Sequence, residues 1–265
     1  MENAVKLPSS ANAIHAMPNA VSDKYQFFST KDLVTKIEAM GYVLSSAQQA
    51  FARKEKQGYQ RHVLRFRLPQ SIDNQQAFAL KQEFPEIVIV NSHDGSSSMR
   101  IIAGLFRLVC ANGLISGRAL DEIRIRHVKR IGVNPDEQLQ EVLRVVAEKA
   151  KALAAVAERW KQVSVTESGV KELLTATLEA RTKGTAYEGK PLKVDSDMLL
   201  RAYRPEDIEN NLWTVFNVLQ EKAIKSAFFA QTIDGETVRL NAPKALDRQV
   251  GINQYLWNAA EKLAA

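Results

Sequence analysis

Residues 85–117, PEIVIVNSHDGSSSMRIIAGLFRLVCANGLISG, decide how this chain reads. They open on an unbroken β-branched run, Ile87-Val88-Ile89-Val90, the pattern of a buried strand. A polar turn follows, Asn91-Ser92-His93-Asp94-Gly95-Ser96-Ser97-Ser98. Beyond it Ile102, Leu105, Phe106 and Val109 recur at helical spacing until Asn112-Gly113 stops them. The expectation is a buried strand, a capped turn and an amphipathic helix over Met99–Asn112, ended by a left-handed glycine cap.

Working outward, two other stretches alternate. In Arg61–Leu68, His62, Leu64, Phe66 and Leu68 share one face, while Arg61, Val63, Arg65 and Arg67 share the other. In Ile123–Val128, Ile123 and Ile125 face one way and Arg124 and Arg126 the other. This describes a sheet with an apolar underside packed on helices and an arginine-bearing upper face open to something anionic. Upstream, Tyr25–Phe28 reads as a short strand, and Ser29-Thr30-Lys31-Asp32 resembles a capping box. Leu33, Ile37 and Met40 then form the buried stripe of a helix that Gly41 closes. Tyr42–Ala50 reads as extended, and Asp73–Phe84 suits a short helix on Ala77, Leu80, Lys81 and Phe84.

From Pro135 the chain turns to long helices. Leu139, Val142, Leu143, Val146, Ala150, Leu153, Val156 and Trp160 carry one stripe. Further helices are expected from Thr166 to about Arg181, over Asp195–Ala202 and Asn210–Ala227, and from Gly251 onward. The fold class is therefore α+β: a small antiparallel sheet with a packed central helix, followed by a mainly helical second half. The boundaries are a flexible arm over 1–22, an α+β core with a basic sheet face over 23–133, and a helical region over 134–265 that packs on the core or mediates assembly.

Composition narrows the function. Apolar residues make up 45% of the 265 and charged ones 25%, ordinary for a globular protein. One cysteine rules out an internal disulfide framework and a cysteine-built zinc site. There is no apolar run of membrane-spanning length and no signal-peptide core, so a cytoplasmic setting is expected. The net charge of +6 is regional: residues 51–130 carry 14 Lys/Arg against 7 Asp/Glu, a net +7, which leaves the remainder at −1. Such a concentration is the footprint of a polyanion partner, or equally a solvated basic face.

The turn offers candidate chemistry. Asn91, Ser92, His93, Asp94, Gly95 and Ser96 precede an expected helix start, where free N–H groups and the helix dipole favour an anion. Arg100 and Arg107 would join it. The alternative is structural: Asp94 or a serine caps the helix while Asn91 and His93 hold the turn, and Asp94 would repel a phosphate. His93-Asp94 also invites a metal or general-base role, with His62 or His127. Metal sites need several convergent ligands, however, and His62 and His127 stand 31 and 34 positions from His93 without helical pairing. Cys110, inside an apolar segment, reads as a small buried hydrophobe. No phosphate-cradling GxxxxGK[ST] loop is present, and no motif calls for a cofactor or a metal.

Arg53, Lys54, Lys56, Arg61, Arg65 and Arg67, with Tyr59 among them, give the basic and aromatic mixture suited to single-stranded nucleic acid. Arg124, Arg126, Lys129 and Arg130 extend the track. Trp213, Phe216 and Trp257 sit among apolar residues and read as core or interface.

NSHDGSSS followed by GLFRLVCANGLISG closely resembles the signature of domain of unknown function family 932, borne on phages and plasmids. The resemblance extends to Tyr25–Thr30, Gln48–Arg53, Arg61-His62-Val63, Arg124–His127 and Leu212–Glu221. It implies a mobile-element setting and brings no established activity. The function expected from charge, alternation and this resemblance is non-catalytic binding or annealing of single-stranded DNA in replication or recombination, by a homo-oligomer. The alternatives are a metal-dependent nuclease or hydrolase centred on His93 and Asp94, and a phage factor acting on a host protein.

Overall fold

The computed structural model describes residues 5–69, 83–107, 112–115, 122–202 and 204–265. Contacts divide the described chain into two compact units. The first holds residues up to Gly113 together with 122–153, and the second holds 114–115 and Ala154–Ala265. The division falls inside a long helix, α2 (Pro135–Trp160), where the sequence suggests a break near residue 133.

The first unit is built on an antiparallel sheet of β1 (Val43–Gln49), β2 (His62–Arg67), β3 (Glu83–Asn91), β4 (Met99–Arg107), the first two residues of β5 (Asn112–Ile115) and β6 (Glu122–Ile125). The order runs β1-β2-β3-β4-β5, and β6 also pairs with β4. One face carries His62, Leu64 and Phe66 of β2 opposite Asn91, Ile89 and Ile87 of β3. The apolar members of this set are 0% exposed.

α1 (Thr30–Ala39) begins on this face, where Thr30 bonds to His62, and it follows the expected design. The Ser29 side chain accepts from the Asp32 amide, Leu33 and Ile37 are fully buried, and Gly41 closes the helix at φ +86°. Met40, expected in the stripe, is instead 38% exposed, because the helix has already ended at Ala39.

The expected helix over Met99–Asn112 is not formed among the described residues of that span. Met99–Arg107 is strand β4, paired with β3 through Val88↔Ile102 and Ile89↔Ile101, and Asn112-Gly113 opens β5. Ile101, Ile102, Ala103 and Leu105 are all buried, so β4 is covered on both faces and its apolar residues do not alternate. A short continuous apolar run fits either a helix or a central strand, and pairing on both edges decides for the strand. The short helix expected over Asp73–Phe84 and the reading of Cys110 lie outside the described residues, apart from Glu83 and Phe84, which open β3. Tyr25–Phe28 contributes one bridge, Tyr25 to Val128. The N-terminal arm is anchored: Ser10 and Ala11 are fully buried, and Gln49 Oε1 accepts from the Ser10 amide and hydroxyl.

In the second unit, α3 (Glu167–Thr182), α4 (Ser196–Leu200), α5 (Leu212–Lys225) and α6 (Leu246–Leu263) form near the expected limits, with α6 starting five residues early. Trp160, Trp213, Phe216 and Trp257 make its aromatic centre, with rings 4.5–6.2 Å apart and no more than 1% exposed. The sequence reading missed a three-stranded sheet here, β7 (Leu192–Val194), β8 (Phe228–Thr232) and β9 (Thr237–Leu240), whose strands are too short for periodicity to mark. Arg181, 3% exposed, locks the end of α5 to the end of β9. Its guanidinium donates to the carbonyls of Lys222, Ala223, Ser226, Leu240 and Asn241.

Candidate nucleic-acid interface

The strand arginines share a face, as their alternation predicts, but carboxylates occupy it with them. Arg65 and Arg67 both donate to Glu86, at 2.5 and 3.0 Å, and Glu86 is 0% exposed. Arg100 grips Glu122 with two bonds of 2.8 and 2.7 Å, and Arg124 reaches the same carboxylate. Burial opposes the charge on Glu122, yet the two arginines outweigh it and hold its carboxyl below the usual range. Arg100 is 6% exposed and Arg65 and Arg67 are largely covered, so most of this positive charge is spent inside the fold. The side chain of Arg107 lies outside the described residues.

The turn after β3 leads into strand β4 and not into a helix, so the helix-dipole anion site expected at Met99 falls with that helix. Asp94 Oδ1 accepts instead from the amide and hydroxyl of Ser96, and Lys56 donates to Oδ2 at 3.2 Å. Burial works against its charge, but these bonds prevail and keep the carboxyl below its ordinary value. Gly95 takes φ +73°, and a Cβ there would meet Val21 Cγ1 at 3.0 Å and the Ala20 carbonyl at 3.2 Å. Glycine is thus favoured by the left-handed backbone, and the arm crossing over it leaves little room for a side chain.

Behind the turn lies a buried polar knot. Thr30 Oγ1 is 2.9 Å from His62 Nε2 and 3.0 Å from His93 Nε2, and it accepts from Asn91 Nδ2 at 3.1 Å. His62 Nδ1 faces the Gln60 carbonyl and so carries the proton, which leaves its Nε2 to accept from the Thr30 hydroxyl. His93 must then donate through Nε2, and its buried Nδ1 has no partner among the described residues. His127 stacks on Tyr25 at 4.8 Å, with Nδ1 facing the Gln26 carbonyl and Nε2 facing Asn91 Oδ1. Burial drives all three rings toward neutrality, His62 down to about 4 and His93 to about 3, where His62 and His127 add repulsion. Among the described residues, no group of three or more His, Cys, Asp or Glu side chains is placed to hold a metal. His93 and Asp94 point into separate networks, His93 toward Thr30 and Asp94 toward Ser96 and Lys56.

The remaining predicted cations lie at one end of the sheet. The register Gln49↔His62, His62↔Asn91, Val90↔Arg100 and Met99↔Ile125 brings three loops together there: the β1–β2 loop, the Asn91–Ser98 turn and the segment after β6. Arg53, Lys54 and Lys56 are exposed on the first loop, and Arg126, Lys129 and Arg130 on the third. Arg61 is half-buried at the foot of the first loop. Hydrogen bonds hold the rim: His93 N to Tyr59 O at 2.8 Å, and Lys129 N to Lys24 O at 2.9 Å. Tyr59 is half-buried against His15, 5.7 Å between ring centroids. The sequence reading passed over Phe51, which stands 98% exposed beside the basic run, and Ile131, 104% exposed on the third loop. A lone aromatic between the polar strand end Gln48-Gln49 and Arg53-Lys54 was the available signal.

A two-unit α+β chain whose basic excess gathers on the loops at one end of a sheet is the class that fold and site define. The chain matches the family described as "Domain of unknown function (DUF932)" over residues 19–257, and it belongs to that family. It is 29% identical over 246 residues to two proteins of Escherichia coli (strain K12), UPF0380 protein YfjQ and UPF0380 protein YafZ. Each alignment spans 91% of this chain and 83% of the relative. No solved structure matches it. Among the described residues, no helix is long and apolar enough to cross a membrane.

Proposed function

We propose that this protein binds nucleic acid without catalysis, holding the phosphate backbone on the loop rim of its larger sheet. The observation that supports this reading is the convergence of Arg53, Lys54, Arg126, Lys129 and Arg130, all exposed, at one sheet end where a single backbone can reach them. At that end the strands run β1-β2-β3-β4-β6, so the ends of the β1–β2 loop stand three to four strand spacings, about 14–19 Å, from the segment after β6. Phosphate contacts of this kind carry affinity and little sequence preference. The mobile-element setting implied by the family signature fits a role in replication or recombination, and assembly of several copies would lengthen the track.

Fluorescence anisotropy of a labelled oligonucleotide across a salt series tests it. The triple variant Lys54→Gln/Lys129→Gln/Arg130→Gln should weaken binding and flatten the salt slope by about one unit per lost contact. No binding by the unaltered protein at low salt would end the reading.

A further inference from the structure

We infer that Phe51 is a base-stacking platform and that the ligand of the rim is therefore unpaired nucleic acid. The inference rests on the phosphate-binding reading above and adds what that reading leaves open, the form of the strand.

Phe51 follows the last bond of the β1–β2 ladder, from Ala50 N to Arg61 O at 2.8 Å. A 3-10 turn over Lys54–Lys56 begins three residues later, and Tyr59 N closes back on Lys56 O at 3.1 Å. Both flanks of the ring are thus held while the ring itself is 98% exposed. Its neighbours decide what it can meet. The core of a protein–protein interface is depleted in charge, whereas Phe51 stands beside Arg53, Lys54 and Lys56, all exposed. A polyanion with apolar flat faces suits both the cations and the ring. A duplex hides those faces inside its stack, and a single strand presents them, each base offering a π-face regardless of sequence. Tyr59 is half-buried against His15 and less able to serve. Ile131, an apolar tip on the segment after β6, has no π-face.

The test uses the full chain with a labelled single strand and with its duplex, comparing the unaltered protein, Phe51→Ala, Phe51→Trp and Ile131→Ala. The ring is almost wholly in water, so none of these changes disturbs the core. Phe51→Ala should weaken single-strand binding about 5- to 150-fold, the range of one lost base stack, with duplex binding and the salt slope unchanged. Phe51→Trp should restore it, and Ile131→Ala should leave the strand preference as it was. Equal loss on both forms, or no loss on either, overturns the role of Phe51 while the rim remains a phosphate site. Binding to anionic phospholipid vesicles that Phe51→Ala abolishes, with single-strand affinity intact, overturns it in favour of a membrane surface. Failure of the unaltered protein to bind either form at low salt overturns the reading beneath it as well.

Discussion

The Thr30 hydroxyl lies 3.0 Å from His93 Nε2 and ties the first residue of α1 to the turn after β3, 63 positions later. The same oxygen meets His62 and Asn91, so one threonine at a helix start satisfies groups from two strands and a turn.

Thr30→Val keeps the shape and removes the oxygen, stranding His62 Nε2, His93 Nε2 and Asn91 Nδ2 in a region with no exposed surface. Each stranded group costs about 1–3 kcal/mol, so a loss of about 3 kcal/mol or more is expected in urea unfolding. A loss under about 1 kcal/mol would mean that the knot is not a fastening.

The histidines set an acid limit. His62 and His93 have folded values of about 4 and about 3, below the unfolded value of about 6.5, so the unfolded chain takes up protons first. The stability they contribute is complete above pH ~6.5 and is lost as pH falls from there toward their folded values, at about 1.4 kcal/mol per pH unit for each ring. Urea midpoints measured across that window should fall with acid, and His62→Gln should reduce the slope. A flat profile would contradict the burial of neutral rings.

Glu86→Gln separates the sheet face from the rim. The carboxylate is fully buried and takes both Arg65 and Arg67, so neutralising it should cost about 3–5 kcal/mol by leaving two guanidinium groups without their counter-charge. Folded Glu86→Gln protein, assayed well below its melting temperature, should bind oligonucleotide as the unaltered protein does. Markedly tighter binding would place the phosphate track on the strand arginines instead.

Arg181→Leu tests the second unit. The change removes donors to five carbonyls and a guanidinium 4.6 Å from the centre of the Phe228 ring. A loss of about 3 kcal/mol or more is expected, read from tryptophan emission as Trp160, Trp213 and Trp257 become wet. Arg181→Lys should not rescue it, because an ammonium cannot fork toward carbonyls of two elements. An unchanged midpoint would show that the carbonyls find water.

The α+β class, the amphipathic helices and strand β2 were legible because each follows a simple period. Leu33 and Ile37 sit one turn apart on α1, and His62, Leu64 and Phe66 alternate on β2. The regional charge and the family signature were legible too, since both are properties of composition and local order. Periodicity failed at Met99–Arg107, where apolar residues on both faces of a central strand mimic helical spacing, and hydrogen bonds to strands distant in sequence determine the outcome. The candidate site divided for the same reason. Arg65, Arg67, Arg100 and Arg124 read like Arg53 or Arg130 until folding brought Glu86 and Glu122 against them. The sequence determined which residues carry charge and which must be buried. Only the tertiary structure decided which charges meet a partner and that Phe51 meets none of the core, because ion pairing and exposure depend on neighbours that chain order does not specify.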